Sequence, residues 1–367
     1  MNYDENKCEI TIIGGGIIGL AIGAELSRLG KEVIVLESED KTMQHSSSHN
    51  SEVIHSGLYY MQNSLKAELC VEGNSLLYDY CSKNQIDHIK SGKLVIASNI
   101  DELSIIEGLK ENGEMNGVIG LQILDANKLK SLEPSLIARS ALQVKSTGII
   151  DSHAFSLCLE AEIENNNNHI ITSSKVLNGQ HTGQHWQLEI GDEDPYVINS
   201  DIVINASGYD SVELGKKLGL SDLPQMTYIK GHYYKYHGKN PFKHLIYPVP
   251  EKHGLGVHTS SDTQNSLRFG PDTEVVDEPN YIFESSNERR LKFIESISKY
   301  FNGFESNLLA DDFCGIRARI GQSHKESDFS ILFKEDHGIE GLVNIAGIES
   351  PGLTASLAIA KYVSQRL

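Results

Sequence analysis

Residues 8–37 constrain the fold of this chain more than any other segment. A largely β-branched run at 10–13 is followed at once by Gly14-Gly15-Gly16-Ile17-Ile18-Gly19, which has the spacing G-x-G-x-x-G. An apolar helical pattern comes next, and a second β-branched run at 33–36 ends at Glu37. The order strand, glycine turn, helix, strand and acid predicts a βαβ unit that binds a dinucleotide.

Each position in this motif has a physical task. The first glycine permits a tight turn, the second lets a pyrophosphate approach the backbone, and the third lets the helix pack closely on the sheet. Amides at the helix start face the phosphates, and the acid accepts hydrogen bonds from a ribose. The alternative, a tight surface turn, leaves the acid unexplained. The predicted dinucleotide contacts are Gly14, Gly16, Ile17, Ile18, Gly19 and Glu37.

The charge balance narrows the class of partner. The chain has 367 residues, with 32 Lys plus Arg and 50 Asp plus Glu, so its formal net charge is −18. Such an acidic surface repels phosphate backbones and disfavours general nucleic-acid binding. A local basic pocket for an acidic small molecule is still compatible with this charge.

The cysteine pattern and the N-terminal residues indicate the cellular compartment in which the protein is expected. The five cysteines are scattered and form no C-x-x-C pair, so they predict neither a zinc site nor a disulfide framework. The residues before Ile10 are acidic and polar, unlike a signal peptide, and no apolar run is long enough to span a bilayer. We expect a cytoplasmic protein with no bound metal and no transmembrane segment, and peripheral association with the inner face of a membrane stays open.

The middle of the chain mixes helical and strand patterns. A short run at 93–97 reads as a strand, and residues 169–205 alternate like a small β-meander with turns at 182–183 and 192–195. The last strand runs into Ala206-Ser207-Gly208, and small residues directly after a strand indicate backbone pressed against a ligand. Helices are predicted at 64–80, 101–112, 125–132 and from 151 or 152 to 164.

Residues 216–309 differ in character and predict an antiparallel sheet. Strands are expected at 228–236, 245–249 and 254–259, with a helix near 288–300. The C-terminus returns to a nucleotide-binding pattern of strand 342–345, loop 347–352 and helix 353–365. Ser350 suits the N-cap of that helix and Pro351 its first position.

Together these patterns predict an α/β (α+β) fold with two domains. A discontinuous, Rossmann-like nucleotide domain comprises residues 1–85, 145–215 and 310–367. A second, antiparallel-sheet domain that binds the substrate comprises residues 86–144 and 216–309.

Several motifs resemble known flavoproteins. Residues 14–19 with Glu37, 206–208, Gly315-Ile316-Arg317 and 347–354 resemble the D-amino-acid-oxidase-like (DAO) superfamily of FAD-dependent oxidoreductases. Further motifs resemble the L-2-hydroxyglutarate dehydrogenase/oxidase family within it. These are Asn50-Ser51-Glu52-Val53-Ile54-His55-Ser56-Gly57-Leu58-Tyr59-Tyr60, residues 64–67, 245–250 with 254–258, 270–273 and 347–354.

This resemblance implies a glycine-oxidase-like fold, FAD as cofactor and a 2-hydroxy acid as substrate. L-2-hydroxyglutarate would be oxidised to 2-oxoglutarate by hydride transfer to flavin N5, and the electrons would pass to a quinone or to oxygen. NAD is disfavoured because it leaves the C-terminal loop without a purpose. The rivals are an amino-acid or amine oxidase of the same superfamily and a non-catalytic, flavin-carrying assembly protein.

Two positions depart from the family pattern. Glu52 stands where the family usually has glycine, so its carboxylate either repels a dicarboxylate substrate or points away. Ala318-Arg319 stands where Pro-Lys is common, which keeps the charge but makes the turn less rigid. Both changes bear on the exact substrate more than on the chemistry.

The reaction needs a base for the hydroxyl proton and a cation for the carboxylate. His55 is our candidate base, with His49 and His258 as rivals, because imidazole titrates near neutral pH. Arg317 is our candidate carboxylate clamp because a guanidinium binds a carboxylate with two parallel hydrogen bonds. Arg319 is a second, weaker candidate. The alternatives are a core histidine and a structural ion pair.

Further site residues follow from the resemblance. The C-terminal helix would place its positive end near the flavin pyrimidine edge, which favours the anionic reduced flavin. His49 would serve the FAD phosphates if it is not the base. The predicted substrate-binding residues are Tyr59, Lys230, Tyr233, His258 and Arg317, with an ordinary sheet as the alternative for Lys230 and Tyr233. The remaining predicted cofactor contacts are Ser48, His49, Val176, Ala206, Gly208, Gly347, Ser350, Pro351, Gly352, Leu353 and Thr354.

Overall fold

A computed structural model describes residues 7–191, 195–250, 256–321 and 327–367. By compactness the chain divides into two units. Unit 1 comprises Met1–Ser48, His153–Thr227 and Ala318–Leu367, and unit 2 comprises His49–Ser152 and Tyr228–Arg317. Within the described residues, no helix is both long enough and apolar enough to cross a bilayer.

Both units contain strands and helices. The strands, in chain order, are β1 Lys7–Ile13, β2 Val33–Leu36, β3 Val53–Ile54, β4 His88–Ile89, β5 Lys93–Ala97, β6 Leu121–Asp125, β7 Ser140–Val144, β8 Gly148–Ile150, β9 His169–Ile171, β10 Val176–His181, β11 Trp186–Ile190, β12 Tyr196–Asn205, β13 Met226–Tyr236, β14 Leu245–Pro248, β15 His258–Ser261, β16 Leu267–Gly270, β17 Glu274–Val276, β18 Leu309–Ile320, β19 Ser330–Leu332 and β20 Leu342–Ala346. The α-helices are α1 Ile17–Arg28, α2 Leu65–Asn84, α3 Leu103–Met115, α4 Ala126–Leu132, α5 Ser152–Asn165, α6 Ser211–Lys217, α7 Asn287–Ser298, α8 Lys334–His337 and α9 Gly352–Ser364.

Unit 1 is built on one mixed sheet with a parallel centre. β1 pairs in parallel with β2 and β12, and β12 and β2 pair in parallel with β20 and β9. The β-meander of β10, β11 and β12 extends this sheet antiparallel. β1 is buried along most of its length because both faces of a parallel sheet are covered. Helices α1 and α9 pack against each other.

The described residues of unit 2 form three sheets. The largest has the order β15-β16-β13-β17, with β18 also beside β13, and the second has the order β14-β5-β7-β6. The third pairs β3 and β4 with β8. A cluster of aromatic and aliphatic side chains, including the fully buried Tyr234, Phe269 and Phe293, forms a core shared by the first two sheets and α7.

The predicted α/β fold, with a Rossmann-like part and an antiparallel part, is confirmed by this topology. The compact units divide the chain differently from the predicted domains, since unit 2 begins at His49 and includes β3 and α2. The reason is pairing: Val53 and Ile54 join β8, which the sequence pattern does not show. Residues 192–194 of a predicted turn and 254–255 of a predicted strand lie outside the described residues.

The start of the last helix differs from the sequence prediction. Helix α9 begins at Gly352 with Pro351 as its N-cap, whereas the sequence predicted Pro351 as the first helical residue. The amide of Gly352 donates to the carbonyl of Glu349 at 2.6 Å, so residues 349–352 form a turn before the helix. Ser350, the predicted N-cap, therefore lies within this turn, one residue before the observed N-cap.

Candidate active site

The glycine motif forms a cradle of bare backbone after β1. Gly14 has a φ of 110°, a conformation that favours glycine. A Cβ at Gly14 would lie 2.6 Å from the carbonyl oxygen of Ala206, and one at Gly19 would lie 1.9 Å from that of Gly14. A Cβ at Gly16 would lie 2.9 Å from Ser47 Oγ. These close approaches require glycine at all three positions, as the turn of a dinucleotide-binding motif does.

The first turn of α1 adds donors to this cradle. The amides of a helix's first turn lack acceptors within the helix, and here they include those of Ile17 and Ile18. Ile17 N–H donates to Ser47 Oγ at 3.0 Å. The helix also has a positive N-terminal end, so both features favour an anion at the turn.

Glu37 is held rigidly at the end of β2. One carboxylate oxygen accepts the amide of Gly15 at 2.7 Å. The other accepts the Ser38 hydroxyl at 3.0 Å and the Glu39 amide at 2.9 Å. The side chain is buried, yet two oxygens offer about four acceptor positions in all. Glu37 can therefore still accept a hydrogen bond from a ribose hydroxyl.

The remaining predicted cofactor contacts of unit 1 lie in three places. Ala206 and Gly208 follow β12, with Gly208 at a φ of 63°, and Val176 begins β10. Ser48 follows a short 3-10 turn and donates to the carbonyl of His45 at 3.1 Å. The C-terminal residues Gly347, Ser350, Pro351, Gly352, Leu353 and Thr354 surround the start of α9.

Arg319 is already paired within unit 1. Its Nε lies 3.2 Å from a carboxylate oxygen of Glu349, and both side chains are nearly buried. This ion pair neutralises the charge that we considered for the substrate. It ties β18 to the loop before α9 instead.

Unit 2 gathers a different set of residues. The side chain of His258 stacks on the ring of Tyr247 with centroids 3.9 Å apart. Lys93 Nζ lies 4.7 Å from the centroid of the same Tyr247 ring and 4.4 Å from that of the Tyr59 ring. His55 belongs to the same group of residues, because the charges of Lys93, Arg317 and His258 are close enough to lower its pKa. We call the set the cation–aromatic cluster, and its members are His55, Tyr59, Lys93, Tyr233, Tyr247, His258 and Arg317.

Strand pairing explains part of this cluster. β5 and β14 are parallel, with Leu245 opposite Lys93 and Tyr247 opposite Val95. Since alternate residues of a strand share a face, Lys93 and Tyr247 are diagonal neighbours on one face of the sheet. His55 follows β3 directly, and Asn74 Nδ2 fixes its backbone by donating to the His55 carbonyl at 2.7 Å.

Both histidines of the cluster are neutral at physiological pH. Burial, together with the nearby Lys93 and Arg317 charges, holds the pKa of His55 well below its usual value. Burial lowers the pKa of His258 to about 3, although a hydrogen bond with the Gly256 carbonyl raises it. That bond joins Nδ1 and the carbonyl oxygen at 2.9 Å, so Nε2 of His258 is the acceptor that remains. Each imidazole can accept a proton.

Arg317 is the guanidinium of the cluster. Burial raises the pKa of the Tyr233 hydroxyl, while the Arg317 charge and a hydrogen bond with Ser51 act in the opposite direction. Tyr233 also stacks on Phe313 with ring centroids 4.6 Å apart. The predicted residues His55, Tyr59, Tyr233, His258 and Arg317 are thus brought together.

Three further residues of unit 2 have other contacts. Lys230 Nζ donates to Asn280 Oδ1 at 2.7 Å and to the carbonyl of Ile282 at 2.6 Å, so its charge serves the packing of unit 2. His49 packs on the ring of Tyr281, with centroids 4.2 Å apart. The contacts of Glu52 are made with α5.

Glu52 points to the first residue of α5. Its carboxylate accepts the hydroxyl of Ser152 at 2.8 Å and the amide of Ser152 at 3.2 Å. Its φ is 57°, in the left-handed region that favours glycine. The backbone geometry therefore explains why glycine suits this position, and the carboxylate is engaged by Ser152.

Sequence reasoning missed Lys93 and Tyr247. Lys93 opens an apolar strand, and a lysine at a strand end usually reaches solvent. Here the whole residue is only 1% exposed. It is covered by the parallel partner strand β14, which is distant in sequence.

Comparisons with known proteins cover almost the whole chain. Residues 9–366 match the family model described as FAD dependent oxidoreductase, DAO. L-2-hydroxyglutarate dehydrogenase, mitochondrial, of Arabidopsis thaliana is 35% identical over 404 residues, covering 99% of this chain and 84% of the relative. The protein of that name from Homo sapiens is 26% identical, covering 98% and 88%. Glycerol 3-phosphate dehydrogenase of Caloramator mitchellensis is 29% identical, covering 97% and 72%.

Solved structures share the fold. Dithionite-reduced L-alpha-glycerophosphate oxidase from Mycoplasma pneumoniae, with FAD bound, aligns with a TM-score of 0.89 at 24% identity, covering 98% of this chain and 94% of the other. Glycine oxidase from Geobacillus kaustophilus aligns with a TM-score of 0.79 at 16% identity, covering 98% and 94%. The glycine-oxidase-like fold predicted from the sequence is confirmed.

Proposed function

Because the chain belongs to the DAO family of FAD-dependent oxidoreductases, we propose that it oxidises L-2-hydroxyglutarate to 2-oxoglutarate. FAD is its cofactor, and the glycine cradle with Glu37 holds the dinucleotide part. The proposed substrate is the one in the names of the Arabidopsis and human relatives.

One observation carries the proposal: a neutral buried imidazole and a guanidinium occur together in the cation–aromatic cluster. Arg317 binds the substrate carboxylate with its planar fork. His55 accepts the proton of the 2-hydroxyl group, and burial keeps the ring unprotonated until the substrate arrives. FAD, when bound, would supply the hydride acceptor for this oxidation. Tyr59 and Tyr233 line the same cluster and orient the substrate.

Anaerobic flavin reduction tests this function. The FAD-loaded protein is mixed with L-2-hydroxyglutarate, its D-isomer, L-lactate and a set of amino acids, and flavin bleaching is followed by absorbance. We expect rapid bleaching by L-2-hydroxyglutarate alone. Faster bleaching by amino acids would indicate an amino-acid or amine oxidase. The absence of bleaching by every compound would indicate a non-catalytic flavin carrier.

A second candidate substrate is glycerol 3-phosphate. The Caloramator relative and the Mycoplasma structure, which has the TM-score of 0.89, are both named for that compound or its oxidation. A phosphate monoester is also an anion that a guanidinium binds well. Including glycerol 3-phosphate in the same panel decides between the two substrates by kcat/KM.

The electron acceptor and the location complete the proposal. We propose that a quinone or oxygen takes the electrons and that the protein is cytoplasmic, at most peripheral on the inner face of a membrane. Reoxidation of the reduced flavin by oxygen and by a water-soluble quinone, each measured by stopped flow, identifies the acceptor. Cell fractionation with antibody detection locates the protein, and recovery in an organelle fraction would contradict a cytoplasmic site.

A further inference from the structure

Lys93 is a buried cation that the proposed reaction has not used. The residue is 1% exposed, and its ammonium lies over the rings of Tyr59 and Tyr247. In the ranges 7–191, 195–250, 256–321 and 327–367, no carboxylate lies within ion-pair distance of Lys93. A charge removed from water without a counterion is costly, and the two aromatic faces offset only part of that cost. The environment of Lys93 therefore favours an added anion.

The tyrosines whose rings contact Lys93 also have hydroxyl groups that lack a hydrogen-bond partner among the described residues. The hydroxyl oxygens of Tyr59 and Tyr247 are buried and have no hydrogen-bond partner in the described part of the chain. Each is a donor, as is the ammonium. Two hydroxyl donors without acceptors among those residues, on the two rings that the ammonium lies over, fit an oxyanion such as a carboxylate, which offers about four acceptor positions.

Two other buried cations, Arg319 and Lys230, are already engaged. Arg319 pairs with Glu349, and Lys230 is bound by Asn280 and a backbone carbonyl. The charges of Arg317 and Lys93 both lower the pKa of His55, so both cations are near the candidate base. A substrate with two carboxylates therefore meets two cations in this cluster.

Resting on the proposed function, we propose that Lys93 binds the second carboxylate of a dicarboxylate substrate, with the Tyr59 and Tyr247 hydroxyls as additional donors. Arg317 then binds the carboxylate next to the reacting carbon. Lys93 is thereby a specificity residue: it favours a five-carbon dicarboxylate over a 2-hydroxy acid of the same length with one carboxylate.

Binding through Lys93 also has a proton signature. Burial lowers the pKa of Lys93 to about 7, and an adjacent carboxylate favours the charged amine. At a pH somewhat above that value, the free protein holds part of the amine uncharged. Binding a dicarboxylate should then take up protons from the buffer, and a variant without the amine should take up fewer.

The test compares glutarate with pentanoate, two non-reacting ligands of equal length, on the FAD-loaded protein. Calorimetry in two buffers of different ionisation enthalpy gives affinity and proton uptake together. For Lys93→Met we expect glutarate affinity to fall at least about tenfold, pentanoate affinity to change less than about twofold, and proton uptake to drop. Lys93→Arg should restore part of the glutarate affinity. Lys110→Met removes a surface lysine on α3 that pairs with Glu114 and is the charge control.

Several outcomes overturn the assignment. Equal losses for glutarate and pentanoate would make Lys93 a packing residue, and unchanged glutarate affinity would exclude contact. Should Lys93→Met fail to fold, the double variant Tyr59→Phe with Tyr247→Phe keeps both rings and removes both hydroxyls. Glutarate should then weaken selectively, and an unchanged ratio of the two affinities would contradict the proposal.

Failure of the proposed function is distinguished by a separate measurement. The wild-type protein is reduced anaerobically with L-2-hydroxyglutarate and with L-2-hydroxypentanoate. Absence of reduction by L-2-hydroxyglutarate, with Lys93-dependent glutarate binding, would refute the substrate but keep the dicarboxylate site. Reduction by L-2-hydroxyglutarate with an unchanged preference in Lys93→Met would refute the role of Lys93 alone.

Discussion

Individual side chains of the cation–aromatic cluster show how burial sets chemistry. A histidine in water is half protonated near pH 6.5, but His55 and His258 are held neutral by desolvation and by cations. The same burial lowers the pKa of Lys93 to about 7. The cluster therefore offers proton acceptors together with sites that bind anions.

We predict that His55→Ala slows flavin reduction by about 10²–10⁴-fold, because a positioned general base is lost. The FAD absorbance spectrum should stay nearly unchanged. Since the His55 pKa is below 6.5 in the folded protein, the ring stays neutral from neutral pH down past 6.5. Any loss of rate caused by its protonation therefore begins only at more acidic pH.

Anaerobic stopped-flow reduction against pH measures both effects, with the exposed His153→Ala as control. If the His55→Ala variant reduces its flavin at the wild-type rate, His55 is not the base and His258 becomes the candidate. A slow variant that keeps the acid limb would leave His55 only a positioning role.

We predict that Arg317→Lys weakens substrate use while FAD stays bound. Lysine keeps the charge but cannot form two parallel hydrogen bonds to one carboxylate. The activation free energy that corresponds to kcat/KM should therefore rise by about 1.5–3 kcal/mol, and kcat/KM should fall accordingly. Steady-state kinetics measures the loss. Arg139→Lys, at an exposed position, is the matched control, and equal kinetics in both variants would make Arg317 structural.

At the scale of secondary-structure elements, two of the turns with residues of positive φ adjoin the sites described above. The glycine turn between β1 and α1 lacks room for side chains, and the turn at Glu52 uses a left-handed residue beside the start of α5. Each turn adjoins a strand and contacts a helix terminus. The effect of a single substitution can be predicted for each.

We predict that Gly19→Ala abolishes FAD binding or folding. Its Cβ would lie 1.9 Å from the Gly14 carbonyl oxygen, and backbone cannot move away without opening the turn. Gly108→Ala, in α3, meets nothing within 4 Å and should stabilise its helix by up to about 1 kcal/mol. Flavin content and thermal unfolding compare the two, and a Gly19→Ala protein with full FAD would contradict the cradle.

We predict that Glu52→Gly leaves the ratio of kcat/KM for L-2-hydroxyglutarate and L-lactate unchanged, because the carboxylate is bound to Ser152. Glu52→Ala loses the same hydrogen bonds but keeps a Cβ at a φ of 57°, so it should be less stable than Glu52→Gly by about 1 kcal/mol. Urea unfolding measures the difference. A rise of the ratio in both variants would show that Glu52 repels the substrate.

For the molecule as a whole, buried neutral histidines link stability to pH. The folded pKa of His258 is about 3, below the ordinary 6.5 of the unfolded chain. Between these values the unfolded state binds more protons, so the contribution of His258 to stability is present above pH 6.5 and is lost as the pH falls. Each such histidine contributes a slope of up to about 1.4 kcal/mol per pH unit.

We therefore predict that His258→Asn flattens the fall of unfolding free energy between about pH 6.5 and pH 5. Urea unfolding at saturating FAD, at several pH values, measures the slope. His153→Asn, at an exposed position, should keep the wild-type slope. A His258→Asn slope equal to wild type would place the proton uptake on unfolding elsewhere.

Local sequence was enough to establish the nucleotide-binding half and the family. Gly14, Gly16, Gly19 and Glu37 lie within one βαβ unit, and their spacing is enough to place their backbone. The motif around His55 and the Arg317 position likewise rest on contiguous residues. Such features are readable because each depends on neighbours a few residues away.

Long-range packing, which the sequence does not show, set which charges are already paired. Arg319 looks like a substrate cation in the sequence, but Glu349 neutralises it from thirty residues on. In the sequence, Glu52 could repel a dicarboxylate substrate, but in the structure its carboxylate accepts a hydrogen bond from Ser152. Lys93 is only the first residue of a predicted strand in the sequence, but pairing with β14 places it beside Tyr247 in the interior. A charge's energy depends on what surrounds it in space, and those surroundings come from strands and loops distant along the chain.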